Sequence, residues 1–331
     1  MGVIVVSDWD ADGIVSAAEI VYSQEIAGLY PIKSKTKVYA YPSTPKTILS
    51  LLESIDSFKS QDKNCVVILD IAFNTNVDKF LAHLKSLNSY IVYVDHHLST
   101  HIHYKDIEKR VNELIVGKSP VALIVYTFLR SIGIRLTPRI ESFVNVVSAI
   151  EGGKKYENEK LIKMLVDIAK YISATKNKDL WEKFVRWISS PLPHVAIPFQ
   201  INDYINAYID KSKPLCNEKE IAEELAMSST RMFNYRVTRI KSLPKQCRFS
   251  AIVSSLYRLL KSPTIVYNEE KKLVAIKTRD DKAFTISMNL YKQGYAEDVT
   301  GHERLAIAKL RNDIDYNTLL VALRRILIEV G

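Results

Sequence analysis

The chain has 331 residues, 47% hydrophobic and 25% charged, with a net charge of +9 and a pI near 9.2. This suits two domains with a core each, and no apolar stretch reaches the length of a membrane span. The sequence opens directly on a strand pattern, so no signal peptide is expected, and the basic balance favours a polyanionic partner over a membrane. Cys65, Cys216 and Cys247 are scattered without metal spacing and read as reduced thiols of a cytoplasmic protein, with Cys65 in a core strand.

Val3 to Val6 is a continuous apolar run, the pattern of a strand buried on both faces of a parallel sheet. Ser7-Asp8-Trp9-Asp10-Ala11-Asp12-Gly13 follows, then a helix over Ile14 to Ala27. Thr36 to Tyr41 reads as a strand stopped by Pro42 and Pro45, and Thr47 to Ile55 as a helix. Val66 to Leu69 is a second buried strand ending in Asp70, with a helix from Val77 to Leu87. Tyr90 to Val94 is a third, ending in Asp95-His96-His97. Strands alternating with helices predict an α/β fold with a doubly wound, mainly parallel sheet.

Ser99 to Lys109 reads as a polar loop in which His101 and His103 face solvent. Ser119-Pro120 and Thr137-Pro138 open helices, the second leading to Glu151. Lys160 to Tyr171 and Leu180 to Ile188 are two more. Prolines 191, 193 and 198 then break the pattern. Asn217 to Lys241 reads as an amphipathic helix in which Arg231, Arg236 and Arg239 alternate with Met232, Phe233 and Tyr235. Such a segment either tracks a nucleic-acid strand or links two domains with its arginines in water. A helix over Phe249 to Leu260, a hairpin over 264–277, a strand over Phe284 to Met288, an apolar helix after Gly301-His302-Glu303-Arg304 and a last helix over Tyr316 to Val330 complete a smaller α/β domain. The expected division is 1–190, a linker over 191–243, and 244–331.

Three strands thus deliver acids or imidazoles at the same end, where open α/β sheets place their ligands. An Asp that only turns the chain or caps a helix accounts for Asp12 or Asp10, but not for three carboxylates in five residues. Crowded carboxylates repel, and a cation relieves the repulsion. Oxygen-rich ligands with one or two imidazoles suit Mn²⁺ or Mg²⁺.

Through Asp8, Asp10, Asp12 and Gly13, then Asp70, then Asp95-His96-His97, the chain resembles the DHH phosphoesterase superfamily. The Asp-x-Asp-x-Asp-Gly form looks most like the RecJ-like nuclease branch, archaeal type. Val146 to Gly153 is similar to the family's fourth motif, with Glu151 in place of the usual Asp. Val6 stands where the pyrophosphatase and nanoRNase branches usually carry a metal-binding His, leaving Asp8 or water to take that place. The resemblance implies two ions held by Asp8, Asp10, Asp12, Asp70, His96 and Glu151, with Asp70 as the bridge. It implies that Asp95 orients an imidazole and that His97 meets the scissile phosphate. The C-terminal part resembles the family's substrate-binding domain, with Thr300-Gly301-His302 standing for its Gly-Gly-His motif. That implies a substrate site of Arg279, Gly301, His302 and, more weakly, Arg304, closing over the metals.

The function implied is a metal-dependent exonuclease on single-stranded DNA or RNA releasing nucleoside monophosphates. Two alternatives stand beside it: a nanoRNase or cyclic-dinucleotide phosphodiesterase, and an inactive RecJ-like replisome scaffold. Single-stranded nucleic acid, and a replication or repair protein such as a helicase or GINS, are the partners the resemblance implies.

Overall fold

The apolar runs become strands buried on both faces because helices cover the sheet on both sides. The computed structural model describes residues 2–56, 64–151, 155–192, 217–244 and 247–330. The chain divides into two compact units, Met1–Lys211 and Ser212–Gly331.

In the first unit β1 (Val3–Ser7), β2 (Val38–Pro42), β3 (Cys65–Leu69), β4 (Tyr90–Asp95) and β5 (Glu113–Val116) form one sheet in the order β2-β1-β3-β4-β5. Every pairing in it is parallel, with Val3 level with both Val38 and Cys65. Alternate residues feed opposite cores. Val3, Val5, Val67, Leu69 and Val92 pack under α1 (Ala11–Val21) and the later helices. Ile4, Val6, Val66, Ile68, Ile91 and Tyr93 pack on the other face with α3 (Thr75–Ser86). The strand order reverses between β1 and β3, so the loops after these strands open at the topological switch point.

Among the described residues the other α-helices of this unit are α2 (Leu52–Asp56), α4 (Leu98–Ile102), α5 (Tyr104–Glu108), α6 (Val121–Ser131), α7 (Pro138–Ile150), α8 (Glu159–Thr175) and α9 (Lys178–Ser189). Two expectations are corrected here. The polar stretch after His97 folds as α4 and α5 because Leu98 and Ile107 anchor it in the core, which composition alone hides. His101 is half-buried, its Nε2 2.9 Å from the Gly117 carbonyl, rather than facing solvent. The edge strand β5 is too short to announce itself in the sequence. The Thr137-Pro138 start is realised, with Thr137 Oγ1 accepting the Ile140 N–H.

The second unit holds a sheet in the order β10-β11-β9-β8-β7-β6. Its strands are β6 (Thr230–Met232), β7 (Tyr235–Ile240), β8 (Thr264–Asn268), β9 (Leu273–Lys277), β10 (Ala296–His302) and β11 (Leu305–Leu310). Its helices are α10 (Glu218–Met227), α11 (Phe249–Leu260), α12 (Lys282–Lys292) and α13 (Tyr316–Val330).

Several predictions by periodicity fail in this unit. The amphipathic helix expected through Lys241 stops at Met227. Beyond it β6 and β7 form a hairpin, with Arg231 level with Arg236, and β7 joins the sheet beside β8. The described part of the segment expected as a linker, from Asn217 on, therefore contributes a helix and two strands to the second unit. Arg239, an odd number of residues from Arg236, points to the opposite face. It pairs with Glu269 at 3.1 Å and lies over the Tyr316 ring, so the three arginines make no common track. Phe284 to Met288 is helical because Ala283, Ile286, Ser287 and Leu290 are its buried side, a spacing of 3.6 that outweighs β-branched content. Leu305 to Leu310 is a strand, not a helix: Ala306, Ala308 and Leu310 are buried in alternation. Cys247 is disulfide-bonded rather than a reduced thiol, while Cys65 is free and buried. Gly152, Gly153, Pro193, Pro198 and Cys216 lie outside the described residues.

Candidate metal centre

The loop after β1 is tied down by its own backbone. Ser7 Oγ donates to the Gly13 carbonyl at 2.7 Å, and Trp181 Nε1 donates to the Asp8 carbonyl at 3.2 Å. A Cβ on Gly13 would lie 2.4 Å from that same carbonyl oxygen, so only glycine lets α1 start this close to the strand end. Asp10 caps α1, its Oδ1 accepting the Gly13 N–H at 3.0 Å. Asp12 caps a different helix. Its two oxygens accept the Val121 and Ala122 N–H groups of α6 at 2.6 and 2.7 Å, the place Ser119 was expected to fill. Capping and ligation are thus not rival explanations, since each carboxylate oxygen has a second lone pair.

Asp70 stands just beyond β3 with φ 57°, a left-handed conformation that Asp tolerates better than most residues. Its Oδ1 lies 3.4 Å from His96 Nε2 and 3.9 Å from His97 Nδ1. Its Oδ2 is buried and has no hydrogen-bond partner among the described residues. His96 Nε2 is also 3.9 Å from Asp12 Oδ2 and 4.0 Å from Glu151 Oε2. Two overlapping groups with ligand atoms within 4.8 Å of one another result: Asp70-His96-His97 and Asp12-His96-Glu151. A buried carboxylate oxygen without a donor is costly, and a divalent cation is the partner such an oxygen lacks. The donor set of carboxylates and imidazoles fits Mn²⁺ or Mg²⁺.

Asp95 lies beneath, fully buried, accepting the Thr100 hydroxyl and facing His97 Nδ1 at 2.7 Å. Burial alone would raise its pKa, but His97 and Thr100 hold it below the usual carboxylate value. The same pair lifts His97 to about 9: burial disfavours the imidazolium, and Asp95, Asp10 and Asp8 outweigh it. Without a cation, Asp8 and Asp12 are both pushed to about 7, by burial first and then by Asp10. Asp70 is raised well above its ordinary value, by burial and then by Asp10, Asp12, Glu151 and Asp8. The Asp8, Asp12 and Asp70 shifts have the same cause, like charges crowded in a poorly solvated place, and a cation would relieve it.

Of the expected ligands, Asp12, Asp70, His96 and Glu151 come together, joined by His97. Asp8 and Asp10 flank them within electrostatic reach, Asp8 Oδ1 accepting the Trp9 N–H at 2.6 Å. Two neighbours of the centre carry no signal in the sequence. Thr100 lies in a stretch whose polar composition reads as loop. Lys176 lies far along the chain, with Nζ 4.8 Å from the Trp9 ring centroid.

In the second unit, Arg279, Gly301, His302 and Arg304 share one end of the sheet. Lys277 and His302 both pair with Leu305, and the Thr278 N–H donates to the Arg304 carbonyl at 3.0 Å. Arg279 is exposed; His302 and Arg304 are half-buried. Gly301 has φ 102°, and a Cβ there would lie 2.3 Å from the Leu305 carbonyl oxygen, so hairpin geometry by itself demands the glycine.

No family model matches the chain, and no curated protein matches it. Solved structures do. A DHH-domain structure, described as a member of a family of ribosomal proteins, superposes with a TM-score of 0.63 at 14% identity, covering 99% of this chain and 87% of that one. RecJ from Thermus thermophilus in complex with Mn²⁺ superposes with a TM-score of 0.58 at 10% identity, covering 98% of this chain. The same protein with Mg²⁺ gives 0.52. The chain spans about half the length of RecJ, 52% of it. The fold is that of DHH-domain proteins.

Proposed function

We propose that the chain is a metal-dependent phosphodiesterase, a RecJ-like exonuclease that shortens single-stranded DNA or RNA and releases nucleoside monophosphates. The observation that carries the reading is the convergence on His96. Carboxylate oxygens of Asp70 after β3, Asp12 in the first turn of α1 and Glu151 at the end of α7 lie 3.4, 3.9 and 4.0 Å from His96 Nε2, and the other oxygen of Asp70 is buried with no hydrogen-bond partner among the described residues.

In this reading Asp12, Asp70, His96 and Glu151 would hold a pair of divalent cations, with Asp8 and Asp10 at the rim. Bound Mn²⁺ or Mg²⁺ would supply an activated water and neutralise charge on the phosphoryl oxygens. Asp95 fixes the His97 ring through Nδ1, which leaves Nε2 to face the phosphate. An imidazole paired with a buried carboxylate in this way can hold a proton and donate it to a phosphate or leaving-group oxygen. Arg279, His302 and Arg304, with the backbone at Gly301, bind a phosphate or the terminal nucleotide. No described helix is long and apolar enough to cross a membrane.

The test is an assay of the purified chain with Mn²⁺ on labelled single strands of graded length, from the dinucleotide upward. Stepwise shortening of long strands to mononucleotides is expected. Hydrolysis confined to dinucleotides would replace the reading with the nanoRNase alternative. Metal binding without hydrolysis at any length would leave the scaffold.

A further inference from the structure

A row of lysines, each lying over an aromatic ring, begins beside the metal centre. Lys176 Nζ lies 4.8 Å from the Trp9 ring centroid, and Trp9 separates Asp8 from Asp10. Lys178 Nζ lies 4.3 Å from the centroid of Tyr41, the neighbour of Val6 across the β1–β2 pair. Lys37 Nζ lies 5.2 Å from Tyr39, two residues earlier on the edge strand and so on the same face. A ring face steers an ammonium without neutralising it. Among the described residues none of the three lysines forms an ion pair. The acids on this side are already engaged: Glu25 pairs with Arg186 at 2.7 Å, and Glu182 lies 3.8 Å from the same guanidinium.

Lys176 also sits where its residue type is unfavourable. It ends α8 with φ 52°, a left-handed position that glycine fills at lower cost. Lys176 is the first of the two residues between α8 and α9, and Lys178 is the first residue of α9, so this one connection brings both ammonium groups to the rings of Trp9 after β1 and Tyr41 on β2. The Lys176 charge reaches Asp8, whose carboxyl burial and Asp10 push up and this ammonium draws down.

We propose that Lys176 and Lys178, continued by Lys37, form a phosphate-binding track that takes the backbone of a single-stranded nucleic acid along the β2 edge to the metal centre. The proposal rests on the phosphodiesterase reading and adds to it where, on the first unit, the strand lies. Phosphates close to a cluster of carboxylates need cations to offset the repulsion, and the ring-seated ammonium groups supply them. The track is sequence-independent, because it contacts backbone and no base edge.

The test compares wild type, Lys176→Gly, Lys178→Ala and the double variant, with Lys160→Ala near the other end of α8 as a charge-matched control. Binding of a labelled dodecanucleotide single strand is followed by anisotropy in metal-free buffer over a range of salt. Glycine suits the positive φ at 176, so thermal unfolding should show a folded variant. The double variant should bind about tenfold more weakly at low salt, and its log–log salt slope should fall by about 1.4, at ~0.7 per lost phosphate contact. With Mn²⁺, its loss of hydrolysis should be larger on the dodecamer than on a dinucleotide. An unchanged slope, a loss no greater than in Lys160→Ala, or a wild type that binds no single strand would overturn the track. A wild type that binds with the lysine-dependent slope yet cleaves no diester would overturn the phosphodiesterase reading alone.

Discussion

Two glycines, one in each unit, stand at a sheet end where a Cβ would strike a backbone carbonyl, at 2.4 Å for Gly13 and 2.3 Å for Gly301. What surrounds them differs. Around Gly13, Asp12, Asp70, Asp95 and His96 are buried, and the pKa values of Asp8, Asp12, Asp70 and His97 are raised. Around Gly301, Arg279 is exposed, and His302 and Arg304 are half-buried. A tight turn is therefore no sign of chemistry by itself. The first turn closes a helix over a crowded cluster of acids and imidazoles; the second closes a hairpin. In the function proposed, the strongly perturbed groups make the first turn the candidate for the reaction and the second a candidate for binding.

The largest effect expected from breaking this contrast is at Asp70. Asp70→Asn keeps the shape and the tolerance of positive φ but removes the charge. Hydrolysis should fall by about a thousandfold or more, the scale of losing a central charge-stabilising group, with thermal stability kept or raised. Steady-state rates and unfolding on the same preparation decide it, and full activity in the folded variant would sink the site assignment.

Next are the glycines themselves. Gly13→Ala and Gly301→Ala should each cost about 2 kcal/mol or more, because backbone and not a pliable side chain blocks the methyl. Gly13→Ala should also weaken Mn²⁺ binding, which calorimetry reads, whereas Gly301→Ala should leave it intact. Equal Mn²⁺ affinity in both would erase the distinction between the turns.

The metal-free chain should show the contrast as a pH dependence. Asp8 and Asp12 keep protons up to about 7 when folded and release them near 3.8 when unfolded. Stability from this source therefore falls as pH rises through that window. His97, lifted from 6.5 to about 9, adds stability that is full below 6.5 and lost as pH climbs through 9. Both act in one direction, so the unfolding midpoint should drop by several degrees between pH 5.5 and pH 8, and Mn²⁺ should restore more at pH 8. All three tryptophans, Trp9, Trp181 and Trp187, lie in the first unit, so their fluorescence reports that unit. A midpoint that rises over this range would show that the acids are not crowded as described.

The smallest effect belongs to the second unit. His302→Ala should raise KM several-fold and leave Mn²⁺ affinity unchanged, since it removes one phosphate contact of a half-exposed group. Unchanged kinetics would leave Gly301 with its hairpin alone.

The first unit is largely legible from sequence because its information is local. A strand buried on both faces must be an apolar run, and the acids must follow each run directly, so Asp8, Asp70 and Asp95 can be placed at strand ends from the pattern alone. The second unit is less legible. Its strands are unevenly buried, β8 throughout and β11 in alternation, its helices carry β-branched residues, and the pattern of Phe284 to Met288 is resolved only by the burial of Ala283, Ile286 and Leu290.

What the sequence by itself determined is the order of the parallel-sheet elements and which residues stand at their C-terminal ends, since period and strand-end position are properties of neighbouring residues. Only the tertiary structure decided that Asp12 caps α6, that Thr100 braces Asp95, that Arg231 and Arg239 part to opposite faces, and that Lys176 lies over Trp9. Each of these joins residues through packing and hydrogen bonds that no local pattern encodes.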